Sequence, residues 1–269
     1  MTKQSNRNLH RRRLTVGLFI LLLAVCASAF WLLFSPFKPA EMFEDLPKRY
    51  TYLEAEKPGQ PELHMMSVSP DDIVLRADRL PLQEIHAYGI NGGFFYENSL
   101  LSIAVQNDEP TAGKRSDYGS GWSNVKYARG TLVWDGKQRK FSVQTVSSAD
   151  EIKVRNRSHY WAQGGVSLKL SDEENWQTIS IDQHLPYADE PRMRSALVYN
   201  NAGQLWLVVT PTLSTATDFR AALLDSVPGE GREGIFLDGD GSSQMNADEI
   251  LLTGDGRMVV QMIAVSAEE

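Results

Sequence analysis

Gly234-Ile235-Phe236-Leu237-Asp238-Gly239-Asp240-Gly241-Ser242-Ser243 decides how this chain is read. The apolar run Ile235 to Leu237 predicts a buried strand, and it stops abruptly at carboxylates, glycines and hydroxyls. Small residues let backbone N–H groups approach a ligand closely, and successive N–H groups can cradle an anion. Ser242 and Ser243 add donors, and Asp238 puts a carboxylate at the strand mouth. Polar groups held at a strand end by a rigid scaffold are a common place for a site. Taken alone, the stretch reads equally well as a tight loop closed by Asx-turns.

Upstream of it lies the best helix of the chain, Thr215 to Val227, with Thr217 as the expected cap and Asp218 in the first turn. Phe219, Ala222, Leu223 and Val227 share one face at helical spacing, which makes that face core. Before the helix, Arg192-Met193-Arg194-Ser195-Ala196-Leu197-Val198-Tyr199 predicts a strand that begins with two arginines, and residues 204–210 its return. An arginine at a strand start is commonly a solvated end; read functionally, its guanidinium can grip a phosphate or carboxylate through two bonds. Two further stretches interrupt aromatic strands with paired glycines: Asn91-Gly92-Gly93-Phe94-Phe95 and Tyr160-Trp161-Ala162-Gln163-Gly164-Gly165. Glycine in a strand marks a bulge or a close backbone approach. Residues 130–146 predict a hairpin around Asp135-Gly136, residues 111–129 a long loop of lid or binding type, residues 80–87 a short helix, and the acidic segment 171–190 a surface excursion.

Charge is unevenly placed. Residues 1–40 carry six Lys/Arg and no acid, so the rest of the 269-residue chain holds 21 basic against 34 acidic residues. So acidic a body repels phosphate backbones, which argues against a nucleic-acid partner. The one cysteine, Cys26, rules out an intramolecular disulfide and any Cys-rich zinc site. Leu14 to Phe34 has no charge and follows Arg11-Arg12-Arg13. Its length suits a single membrane span with the N-terminus inside. Ala27-Ser28-Ala29 offers the rival reading of a cleaved signal, and Cys26 that of a lipoprotein; each exports the body.

The expected organisation is a basic cytoplasmic tail at residues 1–13, a transmembrane anchor at 14–34, a proline- and charge-rich linker at 35–61 and a globular domain at 62–269. Such a chain belongs in a bacterial-type inner membrane, with the domain periplasmic or extracellular. Many hairpin-linked strands with few helices predict an α+β fold on a mixed, largely antiparallel sheet, preceded by the one membrane helix. No GxGxxG or GxxxxGK[ST] motif is present, which disfavours a nucleotide fold.

Together, Asn91-Gly92-Gly93-Phe94-Phe95, Gln163-Gly164, Arg194-Ser195-Ala196 and Leu237-Asp238-Gly239-Asp240-Gly241-Ser242-Ser243 resemble, in order, the motifs of the phosphodiester glycosidase family. The resemblance runs from about Ile73 to Val265. Asp240 stands where that family has glycine, and Ser195 where it has threonine. The resemblance implies an exported hydrolase that splits a sugar from a phosphodiester. It also implies roles: Arg194 clamping phosphate, Asp238 as general base or nucleophile, and Asn91 with Gly92 and Gly93 orienting substrate. Gln163, Gly164, Gly239, Ser242 and Ser243 would line the substrate site, and Asp240 is a candidate second carboxylate. No organic cofactor is called for, though Asp238 and Asp240 could hold a divalent cation. The expected partner is a phosphorylated saccharide. The rival class is a non-catalytic envelope protein that binds a saccharide or a protein at the same cleft, and Asp240 favours it.

Overall fold

The computed structural model describes residues 42–267. The membrane span expected at 14–34, with its tail, lies outside them. Among the described residues no helix is long and apolar enough to cross a membrane.

The centre is a six-stranded sheet in the order Tyr50–Ala55, Leu63–Val68, Leu205–Ser214, Arg192–Tyr199, Glu233–Phe236, Val166–Ser167. Side chains alternate across a strand, and here both faces are covered. Leu197, Leu207 and Ile235 point into the larger core with Ile90, Leu132 and Ile263. Ala196, Val198 and Phe236 pack on the opposite side with Phe219 and Leu223 of helix Ala216–Ser226 and with Trp176 of helix Trp176–Asp182. Two five-stranded sheets and a two-stranded ribbon, Phe95–Tyr96 with Ser99–Leu100, complete the body. One runs Lys140–Val146, Arg129–Asp135, Tyr160–Gly164, Ala104–Gln106, Glu109–Pro110; the other runs Leu251–Leu252, Met245–Asn246, Gly89–Asn91, Met262–Val265, Ile73–Arg76.

The expected α+β fold on a mixed sheet is therefore corrected. Every strand pairing is antiparallel among the described residues, the strands divide among several sheets, and the α-helices there are two. Helix Ala216–Ser226 does connect two strands of like direction, Leu205–Ser214 and Glu233–Phe236. They are not neighbours, because Arg192–Tyr199 lies between them and pairs antiparallel with both. The crossover thus lands one strand away and makes no parallel ladder.

Smaller expectations shift too. Part of the expected linker is domain: Phe43 is 1% exposed, and Tyr50–Ala55 pairs along its whole length with Leu63–Val68. The helix cap is Thr215, whose Oγ1 accepts from Asp218 N–H at 3.1 Å, and not Thr217, which lies inside the first turn. Residues 80–87 hold one 3-10 turn, Leu82–Glu84. Loop 111–129 is anchored rather than a lid: Trp122 and Asn124 are buried, and the Asn124 side chain bonds Ile103, Thr131 and Val146.

Candidate active site

The turn after strand Glu233–Phe236 passes from one sheet to another. Leu237 N–H still bonds Ser195 C=O at 2.9 Å, but Asp238 N–H bonds Gly92 C=O at 3.2 Å. Asp238 thus stands where the six-stranded sheet meets strand Gly89–Asn91. Asn91 closes this corner. Its Nδ2 donates to Asp238 C=O at 2.8 Å and Gly92 C=O at 3.3 Å, while its Oδ1 accepts from Ser195 Oγ at 2.7 Å and Gln244 N–H at 3.1 Å. An amide side chain offers two donors and one acceptor oxygen, so Asn91 is fully engaged and buried. It positions the Asp238 turn and has nothing left to hold a substrate.

Asp238 opens on a cleft of about 180 Å³. Phe94, Leu185, Pro186 and Tyr187 form its apolar walls, and Arg192, Arg194, Asp240 and Arg257 its charged ones. Burial pushes the Asp238 carboxyl up to about 7; Asp240 adds to the push, while the Ser242 hydroxyl, the Gly239 N–H and the Arg257 charge resist it. Because Asp238 keeps part of its surface open to the cleft, water screens some of this rise. A carboxyl poised near neutrality can take or give a proton at physiological pH.

Arg194 lines the cleft with four of its five guanidinium N–H donors already engaged. Its guanidinium is 4% exposed and spends its donors on backbone carbonyls: Ser214 at 3.2 Å, Pro186 at 3.5 Å, Tyr187 at 2.6 Å and Glu190 at 2.9 Å. Burial, with Arg192 nearby, lowers it to about 10, so it stays charged at neutral pH. Its work is to pin segment 186–190 as a wall of the cleft.

Arg192 and Arg257 are the accessible cations, with side chains 30% and 46% exposed. Arg192 lies over the Tyr187 ring at 4.4 Å and donates to Glu190 Oε2 at 2.6 Å and Asp240 Oδ2 at 3.2 Å; its buried Nε has no partner. Arg257 is tied to Asp255, and the pair leans on Gly241, where a Cβ would meet Asp255 Oδ2 at 2.1 Å and Arg257 Nη2 at 2.5 Å. Asp240 has φ +55°, the left-handed region that favours glycine.

Of the remaining expected site residues, only Gly239 lines the cleft. A Cβ on Gly92 would strike the Gln261 side chain at 2.3 Å, and one on Gly93 would strike Ser102 at 2.5 Å. Gly93 N–H bonds Gln261 Oε1 at 3.0 Å, and Gln261 Nε2 bonds Gln163 Oε1 at 2.5 Å, so Gln163 ends a buried amide chain. Gly164 packs against Ile103 and Asn124. Ser242 supports Asp238, and Ser243 Oγ is buried without a partner; neither lines the cleft, whereas Gly239 does. No third His, Cys, Asp or Glu joins Asp238 and Asp240 in a metal-binding group among the described residues.

Reading the sequence missed Arg192, Arg257, Phe94 and the wall Leu185-Pro186-Tyr187 as site residues. The signal for the wall was an apolar triplet inside an acidic segment dismissed as surface.

No family model matches the chain, and no curated protein matches it. Solved structures do. The catalytic domain of zebrafish N-acetylglucosamine-1-phosphodiester alpha-N-acetylglucosaminidase, auto-inhibited by its pro-peptide, superposes with a TM-score of 0.59 at 13% identity, over 81% of this chain and 82% of that one. A hypothetical protein from Synechocystis gives a TM-score of 0.44 at 12% identity, over 81% of this chain and 62% of that one. The first likeness is one of fold: this chain is a distant structural neighbour of that catalytic domain.

Proposed function

We propose that the Asp238 cleft hydrolyses the bond between an anomeric carbon and a phosphodiester oxygen. The observation that carries this reading is one carboxyl, held near neutrality by desolvation, in a small cleft with two accessible guanidiniums. Asp238, as carboxylate, accepts a proton from water as that water attacks the anomeric carbon. The C–O bond breaks, and its electron pair leaves on the phosphate oxygen. Arg192 and Arg257 meet the charge that gathers there. The products are the free sugar and a phosphomonoester. Phosphate is a good leaving group, so the cleft can work without strong acid assistance. The fold of the zebrafish domain, whose printed name is that of a glucosaminidase acting on a phosphodiester, supports the same reaction class. Export of the domain belongs to this proposal.

The second reading is a saccharide-binding protein without turnover. It is favoured by the pairing of Arg192 with Asp240 and of Arg257 with Asp255, which spends cationic charge inside the site. A panel of sugar-1-phosphodiesters, assayed for released reducing sugar, separates the two. The expected result is turnover whose kcat/KM rises with pH through about 7 and falls about 10²- to 10⁴-fold in Asp238→Asn. Saturable binding with no sugar released would establish the second reading. Parent-like rates in Asp238→Asn would remove Asp238 from the chemistry.

A further inference from the structure

A second constellation sits on the hairpin Tyr50–Ala55/Leu63–Val68 and shares no residue with the cleft. Glu54 is the direct cross-strand partner of His64. Glu62 precedes His64 by two positions, the spacing that puts both side chains on one face of an extended strand. One ligand atom from each of the three lies within 4.8 Å of the others. Their oxygens and ring nitrogen are the donors that borderline divalent ions take.

His64 provides the independent sign of a ligand. It is 1% exposed, and its Nε2 is buried without a hydrogen bond. The Glu62 carboxylate comes within 3.0 Å of that nitrogen. The other ring nitrogen, Nδ1, is held at 2.5 Å by Tyr52 Oη. A metal-bound imidazole needs this arrangement, with one nitrogen fixed by a neighbour and the other turned toward the ion. No Lys or Arg forms a salt bridge with Glu54 or Glu62 among the described residues, so two carboxylates stand together uncompensated.

We infer that Glu54, Glu62 and His64 form a site for a divalent transition ion of the Zn²⁺ class, with Tyr52 orienting the histidine. Two carboxylates and a neutral imidazole cancel the ion's charge and leave a fourth position for water. Tetrahedral coordination brings ligand atoms to about 3.3 Å from one another. Glu54 is exposed and Glu62 is half-buried, so their long side chains are free to close that distance. The ion would then staple the edge strand of the central sheet to its neighbour.

The test is a zinc titration of the full, untagged chain after chelator treatment, read with a competing chromophoric chelator and by thermal melt. The expected result is one tight equivalent and a Tm rise of about 5 °C or more at 100-fold the Kd. Glu54→Gln and Glu62→Gln should each weaken binding at least about 10-fold, and Tyr52→Phe by about 10-fold. His86→Ala should leave it unchanged. Glu54→Gln is the decisive variant, because Glu54 is exposed whereas His64 is buried. Zinc binding of equal strength in Glu54→Gln and Glu62→Gln, or no saturation below about millimolar zinc, overturns the site. Neither readout depends on turnover, so the outcome is independent of the Asp238 reading.

Discussion

Asp240 concentrates two opposed effects in one residue. Its φ of +55° is a conformation in which a side chain costs about 1 kcal/mol, less for Asp than for bulkier residues. Against that cost, its carboxylate accepts from Arg192 at 3.2 Å. The pair is partly exposed, so it adds little stability. Its larger effect is on the cleft, where it occupies one of the cations an anionic ester would need. Asp240→Gly relieves the backbone but gives the unfolded chain more freedom. Its stability should therefore stay within about 1 kcal/mol of the parent, while KM for a sugar phosphodiester falls several-fold as Arg192 is released. Asp240→Asn, which tolerates the same backbone conformation, should lower KM without the backbone effect. Equilibrium unfolding and steady-state kinetics measure both quantities; an unchanged or raised KM in the two variants would show that Asp240 does not compete for Arg192.

At the scale of elements, strand Arg192–Tyr199 shows where reading the sequence ends. The apolar run Ala196 to Val198 is legible as strand, and so is the abrupt stop of the next strand, Glu233–Phe236, before Asp238. Paired glycines at 92–93 and 164–165 rightly indicated close packing, since a Cβ at Gly92, Gly93 or Gly164 would collide with a neighbour. The arginines were not legible. Residues two apart in a regular strand share a face, yet Arg192 pairs with Ser214 and Arg194 with Thr210, so the ladder is irregular between them. That irregularity, which depends on the partner strand, turns Arg194 inward to the carbonyls of segment 186–190 and leaves Arg192 at the cleft. A residue type and its spacing cannot report which guanidinium is free. The geometry predicts that Arg194→Lys, which keeps the charge but loses the planar fork, strands several carbonyls and costs about 2–4 kcal/mol. Thermal melting should show that loss together with a higher KM. A parent-like melt with abolished turnover would instead mean that Arg194 touches substrate directly.

Over the whole molecule, the charges of the site oppose those of the scaffold as pH changes. Asp255 is held low by its bonds to Arg257, and Asp108 is held low because Arg157 and Tyr160 outweigh its own burial. Both contribute stability above the ordinary carboxylate range that is lost as pH falls through their lowered native values. Asp238 has the opposite sign. Its native value, about 7, lies above the unfolded one of about 3.9, so between those limits the native state binds more protons. Stability from this group is complete at low pH and declines as pH rises toward 7, beyond which the loss is constant. After allowance for screening at the cleft, the loss is on the order of 1–3 kcal/mol. Replacing the acid by an amide of the same shape removes it. Asp238→Asn should therefore melt a few degrees above the parent at pH 8 and together with it near pH 4, while losing turnover. Calorimetry of the two proteins across that range tests the sign directly: a variant that is less stable than the parent at pH 8 would mean that Asp238 is held as a well-paired carboxylate, and its place as the base of the cleft would fall with it.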